Sequence, residues 1–287
     1  MTKITNRRLS KYELDNCIKL INKKGYCKIS KFFSKKVVDN LLILVKKSYE
    51  EQKKYSHLIN TPKVWNQAKI IYNLQNKDLT YIKLANNKDL EKILIKKIND
   101  PTFRNAKKHE PNYILNHLIA RSSGKESLFL HIDSGVPTGS ITIFMQIMIV
   151  LENSVKKNGC TVVVPGSHLS QKFANRKIKK FDYLEGSPGD IFIWDGNLWH
   201  GSLPNLNHET NSRWNIIATY CNWQFKQVFD IPRGLPKSIY KKLSNKEKRF
   251  LGFCAIPALN EKERVSRSIP IRKLKKNNRD YYRFSRD

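Results

Sequence analysis

The sequence has few cysteines, and their spacing excludes the usual cysteine-based sites. Five cysteines occur in 287 residues, and no two of them have the CxxC spacing of a zinc finger or an iron–sulfur site. An odd number of widely scattered cysteines also argues against a disulfide scaffold. We therefore expect reduced and mostly buried thiols at Cys17, Cys27, Cys160, Cys221 and Cys254.

Long apolar runs are missing as well. The longest apolar stretch, 141–151, is interrupted by Gln146 and has the length of a strand. It is far shorter than the roughly 18 apolar residues that a membrane-spanning helix requires. The N-terminal residues contain no apolar segment of the kind found in secretory signals. The sequence therefore predicts a protein without a membrane span, for which the cytoplasm is the default compartment.

Acidic residues are scarce relative to basic ones. The chain has 54 Lys and Arg against 24 Asp and Glu, which gives a formal net charge of +30. Residues 1–100 carry +14, residues 101–200 only +4 and residues 201–287 +12, so the excess lies on the flanks. This charge indicates either a solvated basic surface or one that steers an anionic partner. Binding to nucleic acid is not expected, because the sequence has no RNP-type, helix-turn-helix or zinc-finger pattern.

The first hundred residues are predicted to be mostly helical. Apolar positions at helical spacing predict a helix over 11–23 that ends at Gly25, then a short strand over 26–30. Ser34 can cap a second helix that runs to about residue 54. Two further helical stretches, near 79–84 and 88–98, end before Pro101, because proline stops a helix.

From about residue 113 the pattern changes to short apolar runs separated by turn residues. At least six such runs occur: YILNHLIA, SLFLHID, SITIFMQIMIVL, CTVVV, DIFIWD and WNIIATYCNW. This spacing is typical of an antiparallel sandwich or barrel of jelly-roll type. We predict one domain, 1–287, mainly β with α flanks. A mostly helical flank (1–112) would cover a jelly-roll core (113–225), and a basic C-terminal extension (226–287) would follow.

The residues best suited to chemistry are His131, Asp133 and His200. Alternate residues of a strand face the same side, so His131 and Asp133 are expected to emerge together. His200 follows 69 residues later, at the end of another strand-like run. Two imidazoles and one carboxylate on neighbouring strands match the facial triad of non-haem iron(II) oxygenases, which leaves three coordination positions open.

Each of these features alone is weak, because a single histidine in a strand is more often structural. The ordered set is more specific, and it includes Arg213, thirteen residues after His200. A guanidinium at that place is suited to bidentate capture of a carboxylate.

In this order, the segments resemble the phytanoyl-CoA dioxygenase family of iron(II)- and 2-oxoglutarate-dependent oxygenases. The similar segments are LHID (130–133), NGCTVVVPGSH (158–168), PGDIFIWDGNLWHGSLPN (188–205) and NSRWNIIATY (211–220). The opening GYCKISKFFSKKVVDNLL (25–42) is also similar to the start of that family. The resemblance covers roughly residues 25–225 and implies a double-stranded β-helix.

The resemblance implies a role for each matching residue. His131, Asp133 and His200 match the iron(II) ligands of the family. Arg213 matches the residue that pairs with the distal carboxylate of 2-oxoglutarate. The segment between His200 and Arg213 is slightly long for the family, which leaves Arg233 as a weaker alternative.

Two further residues are expected near the cosubstrate. Ser202 matches a position that helps to bind the distal carboxylate of 2-oxoglutarate. Gln146 lies midway along a long predicted strand and is expected to face the cosubstrate. The family's activity then implies an enzyme that uses iron(II), 2-oxoglutarate and O2 to hydroxylate an unactivated C–H bond. The substrate would be a small organic metabolite, with an anionic one favoured by the basic flanks, and succinate and CO2 would be released.

Two other functions remain open on the sequence alone. The chain could be a non-catalytic jelly-roll module whose basic surface binds an anionic ligand. It could also be a metal-dependent isomerase or hydrolase of cupin type that uses His131, His168 and His200.

Turn roles are expected for four residues near the motifs: Gly166, Gly189, Asp190 and Asp195.

Overall fold

The computed structural model describes residues 4–55, 69–100, 110–207 and 212–257. The described residues divide into two compact units, one formed by those up to Leu74 and those within Leu118–Thr219, the other by those within Gln75–His117 and those from Tyr220 onward. Residues 258–287, the second part of the predicted basic extension, lie outside the described residues. The prediction of one domain over 1–287 stays a prediction. No helix in the described part of the chain is long and apolar enough to cross a membrane.

The first unit begins with helix α1 (Lys11–Lys24), strand β1 (Tyr26–Ile29) and helix α2 (Lys35–Lys53). A capping box starts α1, in which the side chains and backbone N–H groups of Ser10 and Glu13 exchange hydrogen bonds. Gly25 ends α1 with φ of 87°, a conformation that glycine adopts without strain. Ser34 occupies the predicted N-cap position of α2, but its side chain makes no capping hydrogen bond.

Ten strands in the described residues form two antiparallel sheets. The remaining strands are β2 (Ile70–Ile71), β3 (Tyr113–Arg121), β4 (Leu128–His131), β5 (Phe144–Val150), β6 (Thr161–Val163), β7 (Asp182–Leu184), β8 (Ile191–Asp195), β9 (His200–Ser202) and β10 (Asn215–Asn222). One sheet has the order β1-β8-β5-β10-β3-β2, and the other has the order β4-β9-β6-β7. All six predicted runs are strands, which confirms the jelly-roll prediction.

The core of the first unit lies between these two sheets. The register pairs Gln146 of β5 with Trp194 of β8, and Met148 with Phe192. Side chains from both sheets meet in one cluster, formed by Met148, Val150, Val163, Leu184, Phe192, Trp194 and Leu198. Because alternate residues of β5 face this cluster, Gln146 points toward the same interior.

The second unit contains the other helices. They are α3 (Leu79–Ala85), α4 (Lys88–Ile98), α5 (Ile231–Gly234), α6 (Lys237–Tyr240) and α7 (Asn245–Lys248), followed by a π-helical turn over 249–253. Asp78 and Asn87 cap α3 and α4 by accepting hydrogen bonds from backbone N–H groups. Both helical predictions in this region are confirmed.

All five cysteines lie within the described residues and are free thiols. Cys17, Cys27, Cys160 and Cys221 are buried, and Cys254 is partly buried. The expectation of reduced, mostly buried thiols is confirmed.

Two glycines at turns offer a matched test of why glycine is needed. Gly189 has φ of 94°, and its backbone carbonyl accepts a hydrogen bond from Phe33 N–H. Because the two backbone segments lie this close, an added Cβ would collide with the Phe33 carbonyl oxygen. Gly166 has a similar φ of 79°, but nothing lies within 4 Å of an added Cβ. Gly189→Ala should lower the free energy of unfolding by about 2–4 kcal/mol, and Gly166→Ala by about 1 kcal/mol. Equal losses in denaturant unfolding would show that close approach is not what requires Gly189.

Candidate metal centre

The three predicted ligands converge at the adjoining ends of β4 and β9. Antiparallel pairing sets His131 of β4 directly opposite His200 of β9, and their ring centroids are 4.2 Å apart. Asp133 follows β4 by two residues. Its carboxylate oxygens lie 3.1 Å from His200 Nε2 and 3.6 Å from His131 Nε2. One donor atom from each residue lies within 4.8 Å of the other two, so the three side chains can hold one metal ion.

Each histidine is oriented by its own strand. His131 Nδ1 is 3.0 Å from the Phe129 carbonyl oxygen, and His200 Nδ1 is 3.0 Å from the Leu198 carbonyl oxygen. A carbonyl oxygen can only accept, so each Nδ1 carries the donated proton. The Nε2 atom of each ring therefore points toward Asp133 and is the atom that a metal ion would take as a ligand.

The charges within the triad attract one another. Burial disfavours the charged carboxylate of Asp133 and by itself would raise its pKa. The positive charge of His200 and hydrogen bonds from both histidines outweigh burial, so the pKa of Asp133 lies well below its usual range. Burial also disfavours a charged His200, yet attraction to Asp133 outweighs it and raises the pKa of His200. The site therefore favours a positive charge between these groups, which a divalent cation supplies more strongly than a proton.

A turn from the other sheet positions Asp133. The carbonyl oxygen of Gly196 accepts hydrogen bonds from the backbone N–H groups of Asp133 and Ser134, at 2.9 and 3.1 Å. Asp195 holds this turn by accepting from Asn197 N–H at 2.9 Å, and Asn197 in turn accepts from the Ser134 hydroxyl. The predicted turn role of Asp195 is confirmed, whereas the part played by Asn197 was not predicted.

Arg213 is a buried cation at the start of β10. Its side chain is 4% exposed, and its Nε atom has no hydrogen-bond partner. Nη1 donates to the side-chain oxygen of Asn215 at 2.6 Å in the amide orientation that satisfies both groups. Burial, together with repulsion from Arg121, lowers the pKa of Arg213 to about 10. The alternative, Arg233, lies in the second unit and pairs with Asp230, so Arg213 is the better carboxylate receptor.

Ser202 lies on the strand of His200, and Gln146 lies opposite a residue that packs beside His200. Ser202 is two residues from His200 on β9 and therefore faces the same side, where its hydroxyl accepts a hydrogen bond from Leu128 N–H. The Gln146 side-chain oxygen accepts a hydrogen bond from the Thr219 hydroxyl. Its register partner Trp194 has its ring centroid 5.5 Å from that of His200.

Sequence reasoning missed a second arginine near the triad. Arg121 ends β3 and is half-buried, and its charge acts on Asp133, His200 and Arg213. Burial lowers the pKa of Arg121, although Tyr72 and Asp133 oppose that effect. The only sequence signal was a charged residue at the end of an otherwise apolar run.

The cupin-type ligand set is not brought together. His168 is buried, and its Nε2 lies 3.1 Å from the Asn22 carbonyl oxygen at the end of α1. Among the described residues, the group of donors within reach of one ion contains Asp133 and not His168.

The predicted turn roles of Gly166, Gly189 and Asp190 are confirmed. Both glycines have positive φ, and the Asp190 carboxylate accepts hydrogen bonds from Lys31 N–H and Ser187 N–H.

Replacing Asp133 tests the metal centre directly. Asp133→Asn keeps the shape of the side chain but removes its charge, so the affinity for Fe(II) or Co(II) should fall by about 100-fold or more. Anaerobic calorimetry with each metal measures this loss. Asp39→Asn, on the exposed side of α2, is the matched control and should bind as the parent protein does. Unchanged metal affinity of Asp133→Asn would exclude this centre.

Comparison with known proteins agrees with the geometry. A dioxygenase of Aspergillus fumigatus, af480, is 30% identical over 144 residues, which are 48% of this chain and 46% of the relative. The dioxygenase peniF of Penicillium patulum is 29% identical over 102 residues, or 36% of this chain and 33% of the relative. The matched regions thus span less than half of either relative.

Solved structures show the same fold at low sequence identity. The non-haem α-ketoglutarate-dependent epimerase SnoN of nogalamycin biosynthesis superposes with a TM-score of 0.57 and 14% identity, covering 80% of this chain and 92% of that one. HygX of Streptomyces hygroscopicus, solved with nickel and 2-oxoglutarate, has a TM-score of 0.57 and 13% identity over 76% of this chain and 89% of that one. The predicted double-stranded β-helix with helical flanks is confirmed.

The family assignment follows from the length of the match. The model of the phytanoyl-CoA dioxygenase family matches residues 21–213, which is well over half of the 287 residues and includes the triad and Arg213. This chain belongs to the phytanoyl-CoA dioxygenase family.

Proposed function

We propose that this protein is an iron(II)- and 2-oxoglutarate-dependent oxygenase that hydroxylates an unactivated C–H bond of a small organic molecule. The observation that carries the proposal is the convergence of two imidazole Nε2 atoms and one carboxylate within coordination reach. When bound, iron and 2-oxoglutarate supply O2 activation, coupled to conversion of the cosubstrate to succinate and CO2. Residues 113–225 would form the catalytic core.

The donor set fits iron(II). His131, His200 and Asp133 provide two nitrogen donors and one oxygen donor, the combination that binds non-haem iron and leaves positions open for other ligands. Hydrogen bonds from each Nδ1 to a backbone carbonyl hold the rings before any metal arrives. The Gly196 carbonyl holds the backbone of Asp133 in the same way.

Arg213 fits the distal carboxylate of 2-oxoglutarate. A buried guanidinium is costly unless an anion pairs with it, and the Nε atom of Arg213 has no protein partner. A carboxylate would satisfy that atom through a charge-assisted hydrogen bond. The Ser202 hydroxyl accepts from Leu128 N–H, so its own proton is directed elsewhere and can donate to the same carboxylate. Gln146 would orient the cosubstrate from β5.

Apolar side chains would keep water away from the reacting groups. Trp194 packs beside His200, and Ile217 on β10 packs against the core cluster. A dry site strengthens the electrostatic interactions of Arg213 and Asp133 with bound ligands. The net charge of +30 supports the further proposal that the substrate is anionic.

Hydroxylation is proposed over other outcomes of the same fold. The solved structures that resemble this chain include the epimerase SnoN and a carbocyclase, SnoK. The retained carboxylate of Asp133 favours hydroxylation over halogenation, because it occupies the position that a halide would otherwise take. The mass of the product separates the remaining outcomes, since hydroxylation adds one oxygen atom, cyclisation removes two hydrogens and epimerisation changes nothing.

Binding of 2-oxoglutarate to the metal-loaded protein tests the role of Arg213. Arg213→Gln should weaken 2-oxoglutarate binding by about 30-fold or more, because a buried charge pair loses one partner. Calorimetry on the anaerobic Co(II) form measures the affinity, and succinate formation with iron(II) and O2 follows turnover. Arg233→Gln is the matched control and should leave both unchanged. If Arg213→Gln binds 2-oxoglutarate normally, or if the parent protein never forms succinate, the proposal is wrong.

A further inference from the structure

Two loops beside the metal centre form a surface that the proposed chemistry does not use. The first loop, 134–142, follows Asp133, and the second, 167–181, joins β6 to β7. They lie against each other, since a Cβ on Gly139 would be 2.6 Å from Cγ of Gln171. We call these two loops, together with Phe129, the loop surface.

The loop surface adjoins the triad at two points. The Phe129 ring is 6.3 Å from the His131 ring, and the guanidinium of Arg176 lies 3.8 Å above Phe129. The indole N–H of Trp199, the residue before His200, donates to the Lys172 carbonyl oxygen at 3.0 Å. The second loop is therefore held against Phe129 and Trp199, which lie on the same strand segments as the two histidines.

Large apolar side chains are exposed on this surface. Single exposed apolar residues are normal, but a concentration of them indicates an interaction site. Five of the twelve large exposed hydrophobic side chains among the described residues lie here: Phe129 (48% exposed), Val136 (57%), Ile141 (67%), Leu169 (50%) and Phe173 (66%).

The same surface is strongly basic. Residues 169–181 contain no acidic residue and five basic ones, all exposed: Lys172, Arg176, Lys177, Lys179 and Lys180. The charge of residues 101–200, only +4 in sum, concealed this cluster because acidic residues elsewhere in that range cancel it.

We propose that the loop surface docks this protein onto a membrane with anionic headgroups. These apolar side chains are exposed beside basic ones, which suits shallow insertion at the boundary between headgroups and acyl chains. The surrounding lysines and arginines would attract anionic lipids, a contribution that adds up with each basic residue. Docking in this way would place the metal centre next to the bilayer surface. The proposal does not depend on oxygenase activity.

Vesicle binding by the full chain tests the electrostatic part. The protein should cosediment with vesicles of phosphatidylcholine and phosphatidylglycerol, but not with phosphatidylcholine alone, and high salt should weaken binding. The double variant Lys177→Glu/Lys179→Glu should bind at least about tenfold more weakly. The control Lys36→Glu/Lys47→Glu makes the same change in net charge on α2 and should bind within about twofold of the parent.

A second pair of variants tests the apolar part. Leu169→Ser/Phe173→Ser should weaken vesicle binding by about tenfold or more. Ile43→Ser/Leu206→Ser changes side chains that are more exposed but lie outside the loop surface, and it should not weaken binding. Circular dichroism confirms that each variant is folded. Absence of vesicle binding would overturn the proposal, and so would equal losses in the variants and their controls, because uniform net charge would then explain the binding. Retention on an acidic protein in place of vesicles would also overturn it.

Discussion

The candidate site depends on the antiparallel pairing of two very short strands, β4 and β9. This pairing brings His131 and His200 together although 69 residues separate them along the chain. β9 has only three residues, but it is paired on both sides, since Val163 of β6 is also opposite His200. Gly201 allows this arrangement, because a Cβ there would collide with the backbone of Leu128 and Phe129. The glycine after the second histidine is thus a packing requirement of the metal centre.

The third ligand ties this sheet to the other one. Asp133 lies beyond the end of β4, where the pairing with β9 no longer fixes its backbone. The Gly196 carbonyl, in the turn that leaves β8, takes over this role by accepting from Asp133 N–H. Gly196 lies against Phe144, so a side chain there would push the turn away from β5. The relative position of the two sheets therefore sets the distance between the carboxylate and the imidazoles.

The sequence predicts the elements that interactions between nearby residues determine. It does not predict the elements and contacts that depend on pairing between distant strands. Helices α1 to α4, strand β1 and the six apolar runs that form strands were readable because capping residues, glycine turns and apolar spacing lie within a few residues of one another. The triad was readable from the order of its motifs. The two-residue strand β2 was not, because only its pairing with Ala120 and Arg121 makes it a strand. The sequence showed Arg121 only as a charged residue at the end of a strand-like run, since its place near Asp133 follows from the register of β3 and not from its neighbours in sequence.

The charges around the centre explain why a dianionic cosubstrate suits it. Burial lowers the pKa of Arg213 only to about 10, so the guanidinium stays charged at neutral pH although its Nε atom has no protein partner. Arg121 adds a second positive charge that acts on the same group. Two cations held near one another in a partly dry interior destabilise the fold, and such arrangements persist mainly at functional sites. A metal ion at the triad would add further positive charge, which Asp133 alone does not balance. A dianionic cosubstrate would attract both the metal ion and the arginines, and it would reduce the repulsion among these positive charges. Relief of that repulsion would contribute to the binding free energy of the cosubstrate.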